Sequence, residues 1–321
     1  QATGDFVTRS AIILVDAGGS HRFAPRASSA PVVVAGGMTQ AEVRTILQQA
    51  LGVANQARAQ IRRPLDSPAE VTISVVDRDG NLLGLVRTPD APVFGTDVSL
   101  QKARTATFFS RNDAAQRLES LGQAEYAADA VRFFGAGALS DGVAITARSV
   151  GNIARPNFPD GIDGKPNGPF SKPVSQWSPI NVGLQLDLVL PGLAEVLGLI
   201  PPRGGESNAC TTSSAGAAVN AGINNGIQIF PGAVPVYRDG KVIGAVGISG
   251  DGVDQDDMIA ALGLDRAHRE LAAQGNTNPP GHAPREIRSD RLPVPGPGSL
   301  RYVQCPQSPF VSSQAQNVCN F

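Results

Sequence analysis

Residues 234–252 read VPVYRDGKVIGAVGISGDG and place Gly244, Gly247, Gly250 and Gly252 within nine positions. Glycines at that density can cradle a phosphate, because backbone N–H groups come close where no Cβ stands between. A dinucleotide fingerprint, however, sets its glycines after a strand, in the turn that opens a helix. Gly244 and Gly247 instead alternate with Val, Ile and Ala inside an apolar run that follows a hairpin turn, and no Gly-Lys-Ser/Thr ending is present. Glycine inside a strand marks the close approach of another backbone, a helix or a ligand. The acidic run SGDGVDQDD lacks Ca²⁺-loop spacing and reads as the start of a helix, with Asp254 as its cap.

A second group with chemical potential is cationic. Lys102, Lys165, Lys172 and Lys241 are the only lysines, and Lys102 shares the stretch SLQKARTATFF with Arg104 among small or apolar residues. Either these cations face a pocket that holds an anionic ligand such as a carboxylate, or they form a solvated helix face. The three histidines, His21, His268 and His282, are far apart and share no metal-ligand spacing; any metal stays unknown. No CxxC, CxxCH or Gly-x-Ser-x-Gly motif occurs. Nothing specifies hydrolysis or phosphoryl transfer, so no catalytic residue is assigned and a binding role is expected ahead of an enzymatic one.

Cys305 and Cys319 bracket CPQSPFVSSQAQNVC near the end of the chain and are disulfide candidates; Cys210 is then the odd cysteine. A disulfide implies an oxidising compartment, which makes a periplasmic or secreted location the expectation. The sequence begins at Gln1 without a signal peptide, so a leader removed or a longer parent chain is expected. A net charge of −1 argues against a nucleic-acid surface, which needs a concentrated positive field. No apolar run is long enough for a transmembrane span.

The elements that would position these residues follow from pattern. Thr39 with Glu42 forms a capping box, and Val43, Ile46, Leu47, Ala50 and Leu51 follow helical spacing toward Pro64. Two β-rich runs flank Asp79-Gly80, and two more flank Asp239-Gly240. Both dipeptides suit the positive φ of a two-residue type I′ hairpin. A helix is expected over 96–110 with Thr96 or Asp97 as cap, another over 113–134 weakened at Gly122, and another over about 254–272. Residues 5–23 read as a strand and half a hairpin. ILVDAGGSHRF (13–23) echoes SVVDRDGNLLG (74–84) in its Val-Asp-x-x-Gly shape, either by duplication or by coincidence. The region 136–225 is rich in Gly, Pro and Asn, holds Trp177, and contains one apolar piece at 181–199.

Two segments together resemble the GlcG/HbpS-like haem-binding family: VTISVVDRDGNLLGLVRTPDAPVFGTDVSLQKARTATFFSR (71–111) and GAVPVYRDGKVIGAVGISGDGVDQDDMIA (232–260). Both halves occur in order, each with its Asp-Gly hairpin, and the helix near 38–60 fits as well. The resemblance implies an α/β fold of α+β type, with a profilin/PAS-like, mainly antiparallel sheet packed by helices. It implies three regions: an N-terminal extension 1–37, the family domain 38–262 interrupted by a loop-rich insertion 112–225, and a Pro/Gly-rich extension 263–321. It implies a haem or tetrapyrrole ligand, planar and anionic, lined by Lys102, Arg104, Asp77, Arg87, Gly244 and Gly247, although Asp77 and Arg87 could simply pair across the first hairpin. His21, Tyr237, Thr105 and Thr107 are candidates by chemistry for the iron ligand. Family members commonly form oligomers. A structural or accessory subunit of a larger extracytoplasmic complex is the competing expectation, because the insertion and tail could cover other protein chains.

Overall fold

The computed structural model describes residue 6 and residues 10–29, 36–159, 161–176, 183–199, 222–296 and 298–320. Cys210 and Trp177 lie outside the described residues.

Helix α1 (Gln40–Ala54) begins as the sequence dictates. Thr39 Oγ1 accepts from Glu42 N, and Glu42 returns the bond to Thr39 N, so two otherwise orphaned donors are satisfied. Strand β1 (Thr72–Asp77) then pairs antiparallel with β2 (Leu82–Arg87). Helix α2 (Gly95–Phe109) follows, with Phe94 at its N-cap; neither Thr96 nor Asp97 serves as cap, since both already lie inside the first turn. The helix expected over 113–134 is two, α3 (Ala114–Ser120) and α4 (Ala124–Phe134), broken where Gly122 takes a φ of +76°. Helices α5 (Ala147–Ile153) and α6 (Gly183–Val196) follow within the insertion. Strands β3 (Ala233–Arg238) and β4 (Lys241–Ser249) lead into α7 (Val253–Ala273). Gly252, not Asp254, is the N-cap of α7, and Asp254 sits in its first turn.

The four strands form one antiparallel sheet in the order β2-β1-β4-β3. With the surrounding helices, this is the expected α+β architecture. Helices α1 and α7 cover one face, where Ile73, Val75, Val234, Val246 and Ile248 meet Ile46, Leu47, Met258 and Ile259 in one buried cluster. Helix α2 covers the other face, with Ala103 and Ala106 against Val76 and Ala245. The insertion has a core of its own. Phe108 and Phe109 at the end of α2 join Phe134, Phe158, Phe170, Leu184 and Leu188, with the rings of Phe109 and Phe170 4.9 Å apart. Apolar area buried there holds a long Gly/Pro-rich segment against the domain.

The two Asp-Gly turns differ. Arg238 pairs with Lys241, and Asp239 and Gly240 both have positive φ, as a type I′ loop requires. At the first hairpin only Gly80 has positive φ. Asp77 N–H donates to Asn81 O and Gly80 N–H to Asp77 O, which makes a three-residue loop closed by a left-handed glycine. Asp77 Oδ1 accepts from Asp79 N and Asn81 N, each at 2.9 Å. The echoing segment repeats this loop: Asp16 Oδ1 accepts from Gly18 N and Ser20 N at 2.9 Å, Gly19 N–H donates to Asp16 O, and Gly19 has a φ of +78°. The shared Val-Asp-x-x-Gly shape is thus a shared turn chemistry. The early segment closes a short hairpin of its own through the bridge between Val15 and His21, with Arg22 N–H donating to Leu14 O. It touches the edge of β2 through a single bridge, Ile12 to Arg87, and through Phe23 O and Arg26 N.

The opposite edge strand, β3, carries Pro235, which an edge tolerates, and it too is covered. Tyr237 and Gly281 exchange both backbone hydrogen bonds, at 2.8 and 2.9 Å. From there the C-terminal extension runs across the molecule with two short 3-10 turns, Arg285–Ile287 and Ser289–Arg291. It bonds Ala144 through Ile287 and Ser289, accepts from Thr146 Oγ1 at Tyr302 O, and reaches Arg58 N through Pro309 O. Cys305 and Cys319 form a disulfide with Cα atoms 5.9 Å apart, within the range the bond requires.

Candidate functional site

Lys102 lies on the face of α2 that meets the sheet. Its Nζ donates to Asp256 Oδ2 at 2.8 Å, and both side chains are almost wholly buried. Asp256 stands in the first turn of α7, so the pair ties the two sides of the sheet together past its end. A second buried pair adjoins it. Arg148 of α5 bonds Asp257 through Nε and Asp254 through Nη2, and Asp257 Oδ1 also accepts from Gly232 N at 2.7 Å. Burial pushes the Asp256 carboxyl up to about 6, and the Lys102 charge opposes that rise. Burial raises Asp257 as well, against the pull of Arg148. A Cβ at Gly232 would fall 2.8 Å from Lys102 Nζ, so the chain closes on the ammonium from that side also.

The other residues singled out by sequence are spread around this centre. Arg104 Nε donates to Gly80 O at 2.9 Å and Nη1 to Asn225 Oδ1 at 2.8 Å, fastening the first hairpin turn to the end of the insertion. Burial lowers its guanidinium to about 10, leaving it charged at neutral pH. Asp77 spends its oxygens on its own turn. Arg87 sits opposite Thr72 at the far end of that hairpin and bonds Ala91 O. Asp77 and Arg87 therefore do not pair, because the strands carry them to opposite ends. Gly247 faces α2, where an added Cβ would fall 2.7 Å from Ala103 N, and Gly244 faces Met38 and the Val76 carbonyl on the opposite side. Both close approaches are by the chain itself. Among the iron-ligand candidates, Tyr237 Oη donates to Gly142 O, Thr105 Oγ1 to Gln101 O, and His21 Nε2 lies 3.4 Å from Leu85 O.

The structure also presents a cleft that the sequence reading passed over. It holds about 480 Å³ between the end of β3, the outer face of α7 and residues 278–288, within the size range of small-molecule sites. Tyr237, His268, Gly281, His282, Arg285 and Arg288 line it, and a neighbouring cleft of about 400 Å³ shares Arg285 and Arg288 and adds Arg291 and Tyr302. The Arg288 guanidinium lies 5.0 Å from the Tyr302 ring centre, a cation–π distance. Burial, followed by the Arg288 charge, lowers the His282 imidazole to about 3, so it stays neutral and donates Nε2–H to Ala261 O at 3.0 Å. The cleft is mixed in charge, since Asp239 and Asp265 line it beside the imidazole and guanidinium groups. Among the described residues no group of three or more His, Cys, Asp or Glu could hold a bare metal ion, and no helix is long and apolar enough to cross a membrane.

Known proteins match this chain as follows. The model of a family described as haem degrading protein HbpS-like matches residues 46–151 and 204–265, just over half of the chain. An uncharacterized 15.0 kDa protein in the dhaT-dhaS intergenic region of Citrobacter freundii is 56% identical over 39 residues, 12% of this chain. That match spans 28% of the curated relative's length. A crystal structure of a PduOC:heme complex is 16% identical and aligns with 72% of this chain and 94% of its own, at a TM-score of 0.32. The Klebsiella pneumoniae protein ORFY is 20% identical, with 72% and 90% covered and a TM-score of 0.33.

Proposed function

The chain belongs to the HbpS-like family of haem degrading proteins, and from that membership we propose that it binds haem or a closely related anionic tetrapyrrole. The observation that carries this reading is the family match. The Cys305–Cys319 disulfide supports a place outside the cytoplasm, periplasmic or secreted. Binding without turnover is the form proposed, since the sequence offers no acid–base pair or nucleophile at recognisable spacing. Hemin added to the purified protein gives a saturable Soret band. A titration without saturation overturns the reading. Decay of that band with a reductant, beyond a heat-treated control, overturns the non-catalytic part alone.

A second reading, an accessory subunit of a larger assembly, is favoured by Leu190, Leu197 and Leu199, which are 49%, 61% and 72% exposed along and just past α6. Isolated exposed leucines are ordinary, whereas three together suit a covered surface. A solution mass equal to one chain for protein taken from its native source removes this reading.

A further inference from the structure

We propose that the cleft of about 400 Å³ walled by Arg285, Arg288, Arg291, Asp290 and Tyr302 binds a small oxyanion that still carries a proton, hydrogen phosphate being the simplest. This site goes beyond the haem reading and does not depend on it.

The first observation is the charge of the wall. Three arginines border the cleft against one acid, Asp290. A 3-10 turn advances three residues, so the turns Arg285–Ile287 and Ser289–Arg291 bring the three guanidinium groups to one side. Arg285 and Arg291 are exposed and form no ion pair among the described residues. Arg288 is held in place, its Nε donating to Ala283 O at 3.0 Å and its guanidinium stacked on the Tyr302 ring. Guanidinium forks suit the oxygens of a phosphate-like anion.

The second is a pair of unmet groups in the same wall. Tyr302 is 5% exposed, and its Oη has no hydrogen-bond partner among the described residues; nor has the buried Asp290 Oδ1. The charges of Arg288 and Asp290 both act on the Tyr302 hydroxyl, which places the three groups together. Burial holds that hydroxyl well above its ordinary value, so Oη keeps its proton and can donate. A buried polar atom left unpaired is costly. One ligand that completes both atoms must accept from Oη and donate to the Asp290 carboxylate. Hydrogen phosphate does both: its bare oxygens accept from Oη and the guanidinium groups, and its own O–H donates to Asp290 Oδ1. Sulfate has a similar shape but no proton to give at neutral pH.

The third is rigidity. Helix α5 fastens both sides of the cleft. Ser149 Oγ bonds Ser289 Oγ at 2.6 Å and Arg301 O at 3.0 Å, and Thr146 Oγ1, at the N-cap of α5, donates to Tyr302 O at 2.6 Å. Ser289 N–H also donates to Ala144 O at 2.9 Å. The disulfide holds Cys319, which lines the cleft as well. Groups set on so fixed a frame keep their directions for a ligand.

The test is calorimetric titration of the full chain with inorganic phosphate and with sulfate, at neutral pH and equal ionic strength. Thermal unfolding shows that each variant is folded. The wild type is expected to bind phosphate saturably and about tenfold or more tighter than sulfate, since a buried carboxylate rejects an anion without a donor. Arg285→Ala with Arg291→Ala, both at exposed positions, is expected to weaken phosphate about tenfold or more. Asp290→Asn is expected to lose the preference, because an amide can donate to sulfate. No saturation with phosphate, equal affinity for the two anions in the wild type, unchanged binding in the arginine variant, or an unchanged preference in Asp290→Asn overturns the proposal. Hemin binding is read separately, so the haem reading survives any of these outcomes.

Discussion

Lys102 Nζ and Asp256 Oδ2 stand 2.8 Å apart with almost no solvent contact, joining α2 to the first turn of α7. The relationship has a sign that pH exposes. A carboxyl whose folded value lies above its unfolded one holds its proton more tightly in the folded chain, so its contribution to stability is full below about pH 4 and lost as pH rises through about 6. Lys102→Met removes the opposing charge and pushes Asp256 higher still. Urea unfolding of that variant should show a loss of about 3–5 kcal/mol at pH 8 and a smaller one at pH 5. Adding Asp256→Asn should recover most of the loss at pH 8.

Two glycines should respond in opposite directions to the same added methyl. At Gly247 a Cβ meets the α2 backbone at Ala103 N, so Gly247→Ala should destabilise by about 1–3 kcal/mol or more. At Gly52, inside α1, a Cβ meets nothing within 4 Å, and Gly52→Ala should stabilise by up to about 1 kcal/mol. Thermal unfolding of the pair checks both.

The twin turns offer a matched comparison. Asp77 is buried and also accepts from Asn81 Nδ2, whereas Asp16 is exposed. Asp77→Ala should cost about 1–3 kcal/mol, because three donors lose a buried carboxylate as their partner. Asp16→Ala should stay within about 0.5 kcal/mol. Equal losses in chemical denaturation would show that burial does not set the difference.

Breaking the Cys305–Cys319 bond, by reduction or by Cys319→Ser, should lower stability by about 3 kcal/mol, as for a loop of this length. Denaturant midpoints with and without reductant give the figure. Peptide mapping without reductant should recover both cysteines in one linked fragment.

The sequence made the local parts of this fold legible. Thr39 and Glu42 announce their capping box, and Asp239-Gly240 its type I′ turn, because the partners lie within a few residues. It misleads at Asp79-Gly80, where the Asp77 side chain organises a longer loop from outside the dipeptide. Gly244 and Gly247 signal a close approach without naming its partner, since Met38 and Ala103 reach them only through tertiary packing. Lys102 stands out by rarity, but Asp256 is hidden in an acidic run that suits a helix start equally well. The C-terminal extension shows no periodicity, because its hydrogen bonds go to other elements: to Tyr237, Ala144, Thr146 and Arg58. For the same reason the cleft beside His268 has no sequence signature, being walled by β3, α7 and the extension together.

The central pairing of the sheet, β1 against β4, joins Asp77 to Gly244 across the entire insertion. During synthesis the β1–β2 hairpin is therefore complete long before its inner neighbour exists. Until β4 emerges, β1 offers a free row of backbone donors and acceptors and an apolar face. Such an edge pairs readily with other chains, and long-range strand pairing is intrinsically slow. The nascent protein thus has a vulnerable interval whose length is set by the insertion, and shortening residues between α5 and β3 should speed refolding and raise the soluble yield.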